Sequence, residues 1–82
     1  MRIVLSPKAA KYLERLNEPT KGRIKAALKK LENEPPQGDI KSLSGQDGFR
    51  LRIGNHRVLF GIKADTIVIT DIAPRGQVYK GR

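Results

Sequence analysis

The chain has 82 residues, 17 of them Lys or Arg against eight Asp or Glu, for a formal net charge of +9. That length suits one domain spanning residues 1–82, able to bury roughly 60–65% of its unfolded surface, and not two. There is no cysteine, which excludes disulfides and thiolate–metal sites and favours a cytoplasmic location; no stretch nears the ~20 apolar residues of a membrane span, and the opening run is too short for a signal peptide.

Arg2-Ile3-Val4-Leu5 reads as a first strand, stopped by Ser6-Pro7, a good N-cap followed by a good first helical residue. The first helix runs to about Leu16. Ala9, Tyr12, Leu13 and Leu16 follow the i, i+3, i+4, i+7 spacing of an amphipathic helix, and Ile24, Ala27, Leu28 and Leu31 repeat it. The break between the helices is Asn17-Glu18-Pro19-Thr20, and the second helix ends before Pro35-Pro36. Lys21, Arg23, Lys25, Lys29 and Lys30 form a solvated face. Asp39 and Asp47 read as turn-forming loop acids.

Three strands follow, Phe49 to Ile53, Arg57 to Lys63 and Thr66 to Ala73, joined by short links. Gly54-Asn55 fits a two-residue II′ turn, which sets Ile53 opposite His56, Arg52 opposite Arg57, Leu51 opposite Val58, Arg50 opposite Leu59 and Phe49 opposite Phe60. Alternation then puts Phe49, Leu51, Ile53, Val58, Phe60 and Ile62 on the face packed against the helices and Arg50, Arg52 and Arg57 on the other. If the next turn is at Ala64-Asp65, Ile67 and Ile69 join the core while Val68, Thr70 and Ile72 join the arginines. The predicted fold is α+β, in the order β-α-α-β-β-β. A two-helix hairpin covers one face of a small, mainly antiparallel sheet and leaves the other uncovered.

The net charge points to a polyanionic partner. Its distribution is uneven. Lysines outnumber arginines seven to three up to Lys41, and arginines lead five to two beyond it. Arginine grips phosphate with a planar fork, so the second half is the one expected to touch a ligand. Like charges at Arg52 and Arg57 repel by up to ~1 kcal/mol, a cost that an anion on that face would reverse. His56, the one histidine, falls on the core face near Asp71 and reads as structural.

The segment KSLSGQDGFRLRIGNHRVLFGIKADTIVITDIAPRGQVY resembles the RelE/ParE toxin superfamily of prokaryotic toxin–antitoxin systems. The likeness is carried by Lys41, Leu43 and Gly45; by Arg50 and Arg52; by Gly54 with His56-Arg57-Val58-Leu59-Phe60; and by Arg75, Val78 and Tyr79. The terminal Arg75 and Tyr79 favour the RelE branch. The resemblance implies a ribosome-dependent endoribonuclease, an mRNA interferase, that cuts mRNA in the ribosomal A site by attack of a 2′-hydroxyl on the neighbouring phosphate and so inhibits translation. It further implies Arg50, Arg52, Arg57, Arg75 and Tyr79 as catalytic residues, with Lys41, Arg50 and Arg52 touching RNA. The implied partners are a small cognate antitoxin, forming a hetero-oligomer with the toxin, together with the ribosome, its rRNA and mRNA. Neither membrane, metal nor cofactor is implied. Arg50 and Arg52 stand where RelE has lysines, one of them its proposed general base, and arginine does not readily accept a proton. Tyr79 is the remaining candidate acceptor. The rival readings are a ParE-like, non-enzymatic inhibitor of DNA gyrase and an inactive nucleic-acid-binding relative. Of the four aromatic residues, Tyr12, Phe49 and Phe60 are assigned to the core, which disfavours a base-stacking RNA module.

Overall fold

The computed structural model describes residues 1–74. Its elements are β1 (Arg2–Leu5), α1 (Pro7–Arg15), α2 (Thr20–Lys30), β2 (Asp39–Ser42), β3 (Phe49–Ile53), β4 (His56–Lys63) and β5 (Thr66–Pro74). The strands form a five-stranded sheet in the order β1-β5-β4-β3-β2, antiparallel except for the parallel β1–β5 pair. The α+β architecture is the expected one with an added strand, β2. Its sequence, DIKS, carries a single apolar residue, too little for an alternating signal; pairing with β3 orders it, and Ile40, opposite Leu51, packs against the core.

The helices form where their start signals lie. Ser6 Oγ accepts the Ala9 N–H at 3.1 Å and donates to the Thr70 carbonyl at 3.0 Å, so the cap that starts α1 also ties it to β5. At the start of α2, Pro19 offers no side-chain cap, and the Glu18 carboxylate accepts the Gly22 N–H at 2.8 Å instead. Ala9 and Leu13 of α1 and Ile24, Leu28 and Leu31 of the second helical segment meet Leu51, Val58, Phe60, Ile67, Ile69 and Ile72 of the sheet in one core. Burying each large side chain there contributes ~1.5–3 kcal/mol.

The β3–β4 register is the predicted one at all five pairs, Arg52 opposite Arg57 included. Gly54 adopts φ 55° while Asn55 stays out of the left-handed region, as a II′ turn requires. The next hairpin turns at Ala64-Asp65, as expected, with Ala64 at φ 56°.

Three expectations about the faces need correction. Ile72 belongs to the core and not to the arginine face, with only 2% of its surface exposed. The cause is a β-bulge: Phe60 pairs with Ile69 and Leu59 with Asp71, so Thr70 is the extra residue and the alternation beyond it is reversed. Ile62, assigned to the core, is 43% exposed. It lies near the turn end of β4, where it borders an apolar groove with Pro36, Ile40 and Phe49, while α1 packs chiefly against β5. The arginine face, finally, is not simply open: Arg50 is buried, with Lys41 of β2 opposite it and the loop after β2 lining the same cavity.

Candidate functional site

Side chains alternate across the pleat, so three strands bring four cations to the face away from the helices. Across β2–β3, Lys41 lies opposite Arg50 and Asp39 opposite Arg52; across β3–β4, Arg50 lies opposite Leu59 and Arg52 opposite Arg57. A cavity of about 350 Å³ opens among Lys41, Arg50, Arg52 and Arg57, with Ser44 and Gln46 of the β2–β3 loop along its side. That loop is closed by the Leu43 N–H, which donates to the Gly48 carbonyl at 3.0 Å. Gly48 itself has φ 116°, where a side chain is strained, and a Cβ there would come within 3.3 Å of both Leu43 and the Phe60 carbonyl.

Arg50 is incompletely satisfied among the described residues. Arg50 is 7% exposed, and its Nη1 has no hydrogen-bond partner among the described residues. Its Nη2 stands 3.9 Å from Asp39 Oδ1, and Arg52 Nε stands 4.0 Å from Asp39 Oδ2. Arg52 is exposed and Arg57 half-buried. A buried guanidinium with an unmet donor, flanked by Lys41 and two further arginines, suits an anion that accepts several hydrogen bonds at once.

Asp39 is not the loop acid expected from the sequence. It is the first residue of β2, on the arginine face, and bridges the two arginines of β3. Reading the segment as a strand would have revealed it, because Asp39 and Lys41 then share a face. Asp47 remains a loop acid. Of the predicted site residues, Lys41, Arg50, Arg52 and Arg57 come together; Arg75 and Tyr79 lie outside the described residues.

The other face holds His56, half-buried, with its ring centroid 6.1 Å from that of Tyr12. Burial pushes the Tyr12 phenol above its ordinary value of 10.0. His56 lies away from the arginine face, as expected, but its neighbours differ: it pairs with Pro74, while Asp71 pairs with Leu59 and meets Lys8 of α1 at 3.5 Å. Phe49 and Phe60 stack at 5.4 Å on the core side, away from the cavity. Arg23, Lys25, Lys29 and Lys30 are exposed along α2, as a solvated face should be. Among the described residues no helix is long and apolar enough to cross a membrane.

Comparison with known proteins identifies the family and matches the fold. The family model of the ParE toxin of type II toxin–antitoxin system, parDE, matches residues 3–79. Among solved structures, the chain is similar to the archaeal RelE–RelB complex of Pyrococcus horikoshii, with TM-score 0.77 and 27% identity over 93% of this chain and 96% of that one. It is similar in fold to the RelB–RelE complex of Methanococcus jannaschii, with TM-score 0.75 and 22% identity over 93% and 94% of the two chains. The same holds for the intact RelBE complex of E. coli, with TM-score 0.76 and 14% identity over 93% and 96%. No curated protein sequence matches. A match over nearly the whole chain, on a sheet whose arginine face has the expected register, means that this protein belongs to the ParE toxin family of type II toxin–antitoxin systems, within the RelE/ParE superfamily.

Proposed function

We propose that this toxin is a ribosome-dependent endoribonuclease of the RelE kind, which enters the ribosomal A site and cuts mRNA there. The observation that carries the reading is the cationic cavity, above all the buried Arg50 with an unmet Nη1 beside the opposed Arg52 and Arg57. RNA cleavage by an internal nucleophile has the 2′-oxygen attack phosphorus and expel the 5′-oxygen, leaving a cyclic phosphate and a free 5′-hydroxyl. The phosphorane-like transition state carries more negative charge than the phosphodiester. Donors fixed in advance on a sheet therefore favour it over the ground state, with one such donor contributing about a hundredfold or more in rate. Arg50, Arg52 and Arg57 are the donors in this scheme, Lys41 holds the RNA backbone, and Arg75 and Tyr79 are the further catalytic residues that the family resemblance implies.

Several of its structural relatives are toxin–antitoxin complexes, so a small antitoxin is the partner we assign, with rRNA and mRNA as the polyanions the +9 charge serves. The family match itself favours a second reading, binding to DNA gyrase without RNA chemistry.

Primer extension on mRNA in translating ribosomes separates the two. Wild-type protein is expected to give new 5′ ends, those of the downstream fragments, only when ribosomes are present, and an Arg57→Ala, Arg75→Ala double variant to lose them by about a hundredfold or more. Growth arrest with intact mRNA, in both wild type and variant, would refute the ribonuclease and direct the assay to gyrase.

A further inference from the structure

Resting on the ribonuclease reading, one step lacks an agent among the described residues, Tyr79 lying outside them: the 2′-hydroxyl must lose its proton as its oxygen bonds to phosphorus. Arginine stays protonated and cannot take it. His56 is on the opposite face against Tyr12, and Asp71 is held by Lys8 opposite Leu59.

The geometry points to Asp39 as the general base of RNA cleavage. Its two carboxylate oxygens face two different arginines of the cavity, Oδ1 at 3.9 Å from Arg50 Nη2 and Oδ2 at 4.0 Å from Arg52 Nε. A carboxylate serving only as their counter-ion would close to about 2.7–2.9 Å and commit its lone pairs to N–H donors. At the observed separations neither oxygen is committed to a hydrogen bond with those donors, and the side chain is 58% exposed, beside two of the arginines that line the cavity. Asp39 is also fixed by the sheet, its backbone paired with Arg52. A phosphate that takes its hydrogen bonds from Arg50 and Arg52 is held against this carboxylate. The attacking oxygen, about 3–3.5 Å from phosphorus in a productive pose, is then a neighbour of Asp39.

The step balances without any further reagent. Asp39 takes the proton of the 2′-hydroxyl and the freed electron pair forms the O2′–P bond. The P–O5′ bond breaks with its pair on the 5′-oxygen, which is protonated by water, and Asp39 returns its proton to solvent. Arg50 and Arg52 thus act twice, gathering charge on the phosphorane and holding the acceptor beside the nucleophile. The lysine positions of RelE need not supply the base, because the neighbouring strand does.

The test is single-turnover mRNA cleavage on ribosomes by wild type, Asp39→Asn and Asp39→Glu between about pH 6 and 8, where a carboxylate is ionised throughout. Asp39→Asn keeps the shape and cannot take the proton; its rate is expected to fall by about a hundredfold or more and to rise with pH in proportion to hydroxide, while the wild-type rate stays flat. Asp39→Glu is expected to cleave with the flat profile. Binding of ribosomes carrying a message with 2′-deoxyribose at the cut position, equal for wild type and Asp39→Asn, shows that folding and docking survive. Asp39→Asn cleaving at the wild-type rate, or cleaving slowly with the flat wild-type profile, overturns the assignment, the second result reducing Asp39 to a positioning residue. If the wild type cuts nothing, the ribonuclease reading has failed and the base with it; if the wild type cuts and Asp39→Asn cuts equally, the base alone has failed.

Discussion

Replacing Arg50 by methionine is expected to stabilise the protein while removing a ligand of its site. Methionine keeps most of the aliphatic stem that packs in the sheet and deletes the guanidinium. Three contributions decide the sign. Arg50 Nη1 is a buried donor with no partner among the described residues, and such a group costs about 1–3 kcal/mol. Lys41 lies directly opposite it across β2–β3, a like-charge pair costing up to ~1 kcal/mol. Against these stands the Asp39 contact at 3.9 Å, whose carboxylate is 58% exposed and which is worth about 0–1 kcal/mol. The balance is a gain of ~2 kcal/mol, or about 10 °C in Tm for a domain of this size. Urea and thermal unfolding at neutral pH, followed by circular dichroism, measure it. Phosphate should narrow the gap, because it ligates the wild type and not the variant. An Arg50→Met protein that melts at or below the wild type would refute the argument, since the guanidinium would then stabilise the fold by more than its burial costs.

Ile72→Ala tests the bulge. With Ile72 buried at 2% exposure the substitution is expected to cost about 2–5 kcal/mol in urea unfolding; a loss under about 0.5 kcal/mol, ordinary for a surface site, would restore the unbulged alternation. Ala64→Gly relieves a Cβ held at φ 56° and is expected to raise stability by ~0.5–1 kcal/mol, which a rise in Tm would show and an unchanged or lower Tm would contradict.

Much of this fold could be read from the chain because its strongest signals are local. Ser6-Pro7 starts α1 by a hydrogen bond spanning three residues, and Gly54-Asn55 fixes five cross-strand pairs at once, since a two-residue turn admits one register. What stayed hidden depends on distant partners. The strand β2 has one inward apolar side chain and exists because β3 offers it a free edge; Asp39, of a type depleted in strands, reaches the arginines only through that pairing. The face of Ile72 was misread for a similar reason. Nothing in Ile69-Thr70-Asp71-Ile72 marks where a residue is skipped, and the skip is settled by Phe60 keeping Ile69 and Val58 keeping Ile72.

That skipped position bears on how this chain tolerates changes in length. Phe60 with Ile69, Leu59 with Asp71 and Val58 with Ile72 are the pairings an unbulged strand one residue shorter would also make. Removing Thr70 would leave every inward side chain of β5 inward, whereas removing a neighbour on either side would turn part of the strand over unless the bulge absorbed the change. Thr70 would take with it the carbonyl that receives the Ser6 hydroxyl and a hydroxyl placed 3.2 Å from the Leu59 carbonyl, together with the extra bend and twist a bulge gives its strand. Its side chain is exposed and donates a single hydrogen bond, to the Leu59 carbonyl, so substitutions there should cost little. Alignments of such toxins should instead show this site as a gap that opens and closes, with Ala73 still opposite Arg57 on its far side.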